Sequence, residues 1–166
     1  KNLMLGNLGW IREDIAHGRM AADSPVNHLR LNMFARIAQS RLEGRPIIMY
    51  PFNYGPELFF AMEVEPLMQE VFSVGLAPFH MNEPYIDMTN QLGYGDNPTL
   101  CNAQRPLVAT HLQNDAPIAD YLFYMSTPCN SLATSYQVYQ HMTGVPSFTL
   151  DIPYWSYDPS SAFYDA

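Results

Sequence analysis

Cys101 and Cys129 are the residues of this 166-residue chain best suited to chemistry. They lie 28 positions apart, and each stands between a loop and the expected start of a helix. A thiolate placed there faces the positive end of the helix dipole and several free backbone N–H groups, which stabilise its negative charge. Two such sulfurs can open into one cleft and act as metal ligands or redox groups. From spacing alone, core packing is the commoner role of two isolated cysteines. Neither belongs to a CxxC pair, which excludes a zinc ribbon or a thioredoxin motif.

An alternation of helices and strands must position them. Residues 24–44 read as a helix, with Ser24 as cap and Pro25 in the first turn. Leu29, Met33, Phe34, Ile37, Ala38 and Leu42 then recur at helical spacing before Gly44. Pro46 to Tyr50 is a short apolar run with the look of a buried strand. Asn53-Tyr54-Gly55-Pro56 reads as a turn, and Glu57 to Met62 as a short helix opened by Pro56. Val64 to Gln69 reads as a second strand, although Pro66 counts against it and would suit a sheet edge or a strand end. Helices are expected over 71–79, 84–92 and 102–112, with a loop at 93–98 leading to Cys101. The last third gives strand 120–126, turn Thr127-Pro128, helix 130–142 with Gly144 past its end, and strand 146–151. Strands separated by helix-sized segments make βαβ units. The expected fold is therefore α/β, Rossmann-like or flavodoxin-like, with about four parallel strands, helices on both faces and a helical N-terminal extension.

In such a sheet ligands sit outside the carboxyl ends of the strands. The loops leaving those ends are 52–56, 126–130 and 153–157. They carry Asn53, Ser126, Thr127 and Cys129, with Glu57 just beyond the first. Taken alone, Glu57 suits a first-turn carboxylate, Asn53 ordinary turn chemistry, and Ser126 and Thr127 the capping of the following helix. His80 and His111 lie outside these loops, and His141 lies near a helix C-terminus, where a cation is favoured in any case. The ten methionines suit core filling.

Charge removes whole classes of function. The formal net charge is −8, and seven of the eight basic groups stand at or before Arg45. Residues 46–166 carry one basic group, Arg105, against twelve acidic ones, a net of −11. A nucleic-acid partner needs a basic stripe to neutralise phosphates, and there is none. No GxGxxG or Walker-type phosphate loop is present. Tyr121 to Leu150 lacks charged residues, but its Ser, Thr, Asn, Gln and Pro content reads as a buried segment; a membrane span needs about 20 mostly apolar residues. With no visible leader, a cytoplasmic location is expected. The start at Lys1 and the Pro- and Ser-containing run 158–161 have the look of a piece of a longer polypeptide.

From about Arg45 to Tyr157 the chain resembles the 2-hydroxyacyl-CoA dehydratase family, which includes the catalytic subunits of ATP-dependent benzoyl-CoA reductase. The resemblance rests on the order and spacing of several pieces. The first is Tyr54-Gly55-Pro56-Glu57-Leu58-Phe59-Phe60-Ala61-Met62. Tyr85-Ile86-Asp87, Leu92-Gly93-Tyr94 and Leu100-Cys101 follow. Asp120-Tyr121-Leu122-Phe123-Tyr124, Ser126-Thr127-Pro128-Cys129-Asn130 and Val145 to Tyr154 complete the set.

The resemblance implies a [4Fe-4S] cluster held by three cysteines. Cys101 and Cys129 match the first two, and the third would lie in a second α/β domain outside this chain. It implies a low-potential electron received from an ATP-hydrolysing iron–sulfur activator and passed to an acyl-CoA or aromatic CoA thioester. Radical dehydration through a ketyl radical anion, or aromatic ring reduction, follows. The cluster would serve as relay and Lewis acid. It further implies a paralogous second subunit, a proton-transfer or substrate-positioning role for Glu57, and hydrogen bonds from Ser126 and Thr127 to the thioester or a cluster sulfide. Aromatic segments Phe59-Phe60 and Tyr154-Trp155 would exclude water. On this reading residues 1–45 form the N-terminal extension, 46–153 the cluster-binding domain, and 154–166 the start of a linker. With residues 46–166 so acidic, CoA phosphates would be met by the basic N-terminal segment or by the partner subunit. The alternative is a cluster-free, non-catalytic scaffold subunit of the same heterodimer. No membrane partner is implied.

Overall fold

The structure, a computed structural model, describes residues 13, 16–18, 25–75, 81–94, 100–117 and 119–152. Its elements, in chain order, are α1 (Pro25–Glu43), β1 (Ile47–Tyr50), α2 (Glu57–Ala61), β2 (Glu65–Met68), α3 (Gln69–Ser73) and α4 (Glu83–Thr89). A π-type turn, Asn90–Tyr94, continues α4. Then come α5 (Arg105–Leu112), β3 (Tyr121–Met125), α6 (Asn130–Thr143) and β4 (Ser147–Leu150).

The four strands form one all-parallel sheet in the order β2-β1-β3-β4. This is the α/β, Rossmann/flavodoxin-like arrangement that the alternation of elements predicts. Pro66 lies in β2, an edge strand, where the missing N–H costs no central ladder bond. One face of the sheet presents Ile47, Met49, Leu67, Leu122 and Tyr124 to Leu107 of α5 and to Leu132, Tyr136 and Tyr139 of α6. Met33, Phe34 and Ile37 of α1 join the same core, so the helix of the N-terminal extension is packed into it. The other face carries a smaller cluster of Tyr50, Phe59, Phe123 and Met125, covered by α2.

Polar ties fix the ends of these elements. Arg41 of α1 grips both carboxylate oxygens of Asp120 at 2.9 Å, and Asp120 also accepts the Ile47 amide at 2.7 Å. Arg36 pairs with the buried Glu65 at 3.0 Å and lies over the Phe60 ring. Gly44 and Gly144 end α1 and α6 with φ of 70° and 69°, the left-handed region that glycine enters without strain.

Several boundaries differ from expectation for physical reasons. Helix α3 starts at Gln69, two residues early, because β2 runs into it with no turn between. Helix α5 starts at Arg105 rather than 102, because the Cys101 carbonyl accepts the amides of both Gln104 and Arg105 and closes a turn first. Leu29 and Leu42, placed on the apolar stripe of α1, are exposed. The expected Ser24 cap, loop residues 95–98, helix residues 76–79, His80 and the exit loop 153–157 lie outside the described residues.

Candidate functional site

After β1 the chain builds β2 on one side and returns to place β3 on the other, so the order reverses between β1 and β3. A crevice forms at such a point, outside the carboxyl ends of the two strands. The loops that line it meet: Asn53 Nδ2 donates to the Thr127 carbonyl at 3.5 Å.

Cys129 closes the second loop and is itself the N-cap of α6, its sulfur accepting the Leu132 amide at 3.4 Å. This corrects the expectation that Ser126 or Thr127 caps the helix. Because α6 begins at Asn130, the residue immediately before it is the one that reaches the free amides of the first turn. Ser126 is used elsewhere. Its Oγ accepts the Ile152 amide at 3.0 Å and its own amide donates to the Leu150 carbonyl at 3.0 Å, joining the exits of β3 and β4.

Cys101 reaches the same helix from a different part of the sequence. Its amide donates to Ser131 Oγ at 2.8 Å. One helical turn further along α6, Ser135 Oγ donates to Gln104 Oε1 at 2.8 Å. Two serines four residues apart on one helix face therefore hold both ends of the Cys101 turn. The two cysteine-bearing segments are neighbours; both thiols are free, Cys101 exposed and Cys129 half-buried. Two soft sulfur donors, one capping α6 and one in the turn held against that helix, fit a thiolate-seeking metal group as part of its ligand set. Among the described residues, no three His, Cys, Asp or Glu side chains are gathered to hold a metal ion.

Glu57 opens α2 and is exposed, its carboxylate folded against Gly55, where any Cβ would collide with it. Its helix is held to the sheet by Phe59, whose ring packs against Tyr50, Tyr54 and Phe123 at 5.4–5.6 Å. Among the described residues, no hydrogen bond joins the Glu57 carboxylate to either cysteine.

Glu70 is the functional candidate that sequence reading missed. It is 8 % exposed. Oε2 accepts the Phe52 amide at 3.0 Å and Oε1 accepts Gln104 Nε2 at 2.9 Å. Burial raises its pKa above the ordinary 4.5, against the effect of these donors. Burial, followed by the nearby negative charges of Glu57 and Glu70, pushes Tyr50 up to about 12. The available signal was the absence of turn residues between β2 and Gln69-Glu70, which puts the first turn of α3 at the carboxyl end of the sheet.

The His111 ring lies tilted against Tyr139, with centroids 4.8 Å apart, and burial lowers its pKa. His141 is exposed in the last turn of α6. No described helix is long and apolar enough to cross a membrane. No protein-family model and no curated protein matches the chain.

Proposed function

We propose that the chain is the cluster-binding domain of a cytoplasmic 2-hydroxyacyl-CoA dehydratase or benzoyl-CoA reductase type subunit, with Cys101 and Cys129 as two of the three ligands of a [4Fe-4S] cluster. The observation that carries this reading is the hydrogen bond from the Cys101 amide to Ser131, two residues into the helix that Cys129 caps. When bound, the cluster supplies a low-potential electron and a Lewis-acidic iron to a CoA thioester.

The chain's own residues bind, orient and protonate. Cys129 offers its sulfur from the start of α6, and Cys101 from the turn held against that helix. Glu57, exposed beside the β1 exit, exchanges a proton with the substrate. Ser126, whose oxygen is held by the Ile152 amide, keeps its O–H to donate to the thioester carbonyl. The third thiolate, the phosphate-binding cations and the paralogous second subunit lie outside residues 46–166. The electron comes from an ATP-hydrolysing iron–sulfur activator.

The test is the full-length subunit purified anaerobically with its partner. Broad visible iron–sulfur absorbance and roughly four irons per subunit are expected, with each of Cys101→Ser and Cys129→Ser losing most of the iron. A wild-type protein without iron, whose assembly is indifferent to Cys129→Ser, would instead be the cluster-free scaffold of such a pair.

A further inference from the structure

We propose that Glu70 and Gln104 are positioning residues of the cysteine site, forming a relay from Phe52 through Glu70 and Gln104 to Ser135 that holds the Cys101 turn in register with the Cys129 helix. The proposal rests on the reading that the two cysteines act together, and it adds residues that neither bind nor react.

The relay joins segments remote in sequence. Phe52 leaves β1, Glu70 opens α3, Gln104 ends the Cys101 turn and Ser135 lies on α6, one turn beyond Ser131. The side chains of Glu70, Gln104 and Ser135 are all buried, the last with no exposure. The sense of the relay is fixed at one end: the Phe52 amide can only donate, so Glu70 must accept there. Glu70 then accepts again from Gln104, whose amide oxygen is left to accept from Ser135. A fully satisfied buried network of this kind rigidifies what it connects. A second grip acts on the same turn from the same helix. Ser73 Oγ donates to the Ala103 carbonyl at 2.7 Å, and Gln69 Nε2 donates to Ser73 Oγ at 3.1 Å.

A carboxylate is an expensive choice for this place. Burying it costs stability that a neutral amide of the same shape would avoid. Its hydrogen-bond donors, the Phe52 amide and the Gln104 side-chain amide, are both neutral. Local rules are broken in this way where position matters more than stability.

A charge swap tests the relay. Gln104→Glu sets a second carboxyl group against Glu70 in place of the donating amide, and read at pH 8 the repulsion between the two drives the Cys101 turn off α3. Glu70→Gln with Gln104→Glu restores every bond: the new amide at 70 accepts from Phe52 and donates to the new carboxylate at 104, which accepts from Ser135. Two readouts are used. Binding of phenylarsine oxide, which bridges two nearby thiols, reports whether the cysteines act as a pair. Hydrogen exchange of the Phe52 and Gln104 amides reports the relay alone. Gln104→Glu is expected to weaken arsenical binding and accelerate both amides by about tenfold, the worth of one good hydrogen bond, and the swap to return both to within about threefold of wild type. A Gln104→Glu protein that does not fold, beside a swap variant with wild-type values, also supports the relay. Wild-type values for Gln104→Glu, or a swap that restores neither readout, overturn it. Failure of the wild type to bind the arsenical, with the exchange pattern intact, overturns the paired-thiol reading and leaves the relay standing as a lock on the turn.

Discussion

The amide of Cys101 donates to the hydroxyl of Ser131 at 2.8 Å, and Ser131 stands two residues inside the helix whose N-cap is Cys129. Residues 28 positions apart are thereby brought to one end of one helix, at the carboxyl end of a parallel sheet, where α/β proteins bind ligands. The contact is between backbone and side chain, so it places the Cys101 turn while leaving both sulfurs free for chemistry. Sequence spacing alone allowed the cysteines to share a cleft; the serine supplies a physical tie between their segments.

Ser131→Ala removes that tie from an exposed position, where water can replace the lost acceptor. Stability is expected to fall by less than about 1 kcal/mol. Arsenical binding should fall further than stability does, by about tenfold or more, since it alone depends on the register of the two thiols. Chemical denaturation beside arsenical titration checks the difference; equal small effects on both would show that Ser131 does not set the register.

Cys129 has a structural duty separable from any ligand role. Its sulfur is a weak, long acceptor for the Leu132 amide at 3.4 Å. Serine is among the best N-cap residues, whereas alanine offers no acceptor. Cys129→Ser should therefore hold or slightly raise the denaturation midpoint, and Cys129→Ala should cost about 0.5–1 kcal/mol. Both should abolish arsenical binding. A Ser variant less stable than the Ala variant would mean that packing of the sulfur against the core, not capping, fixes this position.

Much of the fold was readable because its signals are local. Four short apolar runs bounded by Pro, Gly or polar residues gave all four strands, and Pro66 marked the edge. Gly44 and Gly144 marked two helix ends. Cys101 and Cys129 stood out as the pair of thiols before helices. What stayed hidden depends on contacts far apart in the chain. Glu70 is buried because Phe52 and Gln104, 18 and 34 positions away, supply donors. Ser131 and Ser135 look like ordinary polar helix residues until the Cys101 turn is laid against them. Cysteine as a cap was overlooked because Ser126 and Thr127, commoner caps, stood nearby.

Glu70 should make stability depend on pH in a definite direction. Its carboxyl is raised from 4.5 in the folded protein, chiefly by burial. Between the unfolded and folded pKa the folded chain holds a proton that the unfolded chain has released, so stability falls as pH rises through that window and is level above it. Glu70→Gln has no such proton, and turning the Gln104 amide over keeps its bonds made, with Ser135 donating to the Leu132 carbonyl instead. Measured by urea denaturation at about pH 4 and about pH 8, the variant should gain on wild type at the higher pH. A gain at the lower pH would show that the Phe52 and Gln104 donors outweigh burial.

Phe59 ties Glu57 to the sheet and should separate the β1 exit from the cysteine pair. It is 4 % exposed, and its ring meets Tyr50, Tyr54 and Phe123 within 5.6 Å. It is the one buried residue of a five-residue helix that cannot hold itself in water. Phe59→Ala is expected to cost about 3 kcal/mol, the low end for a buried Phe because so short a helix can peel away and let the site relax. Loss of α2 frees Glu57 from its place beside the β1 exit but leaves the ties of Cys101 to α6 intact. Arsenical binding should then stay within about twofold of wild type at temperatures where the variant remains folded, while turnover by the full-length enzyme falls steeply. Phe59→Leu, retaining most of the apolar volume, should recover both stability and turnover. If arsenical binding falls with Phe59→Ala as far as turnover does, the β1 exit and the cysteine pair are one cooperative unit and Glu57 has no separable role.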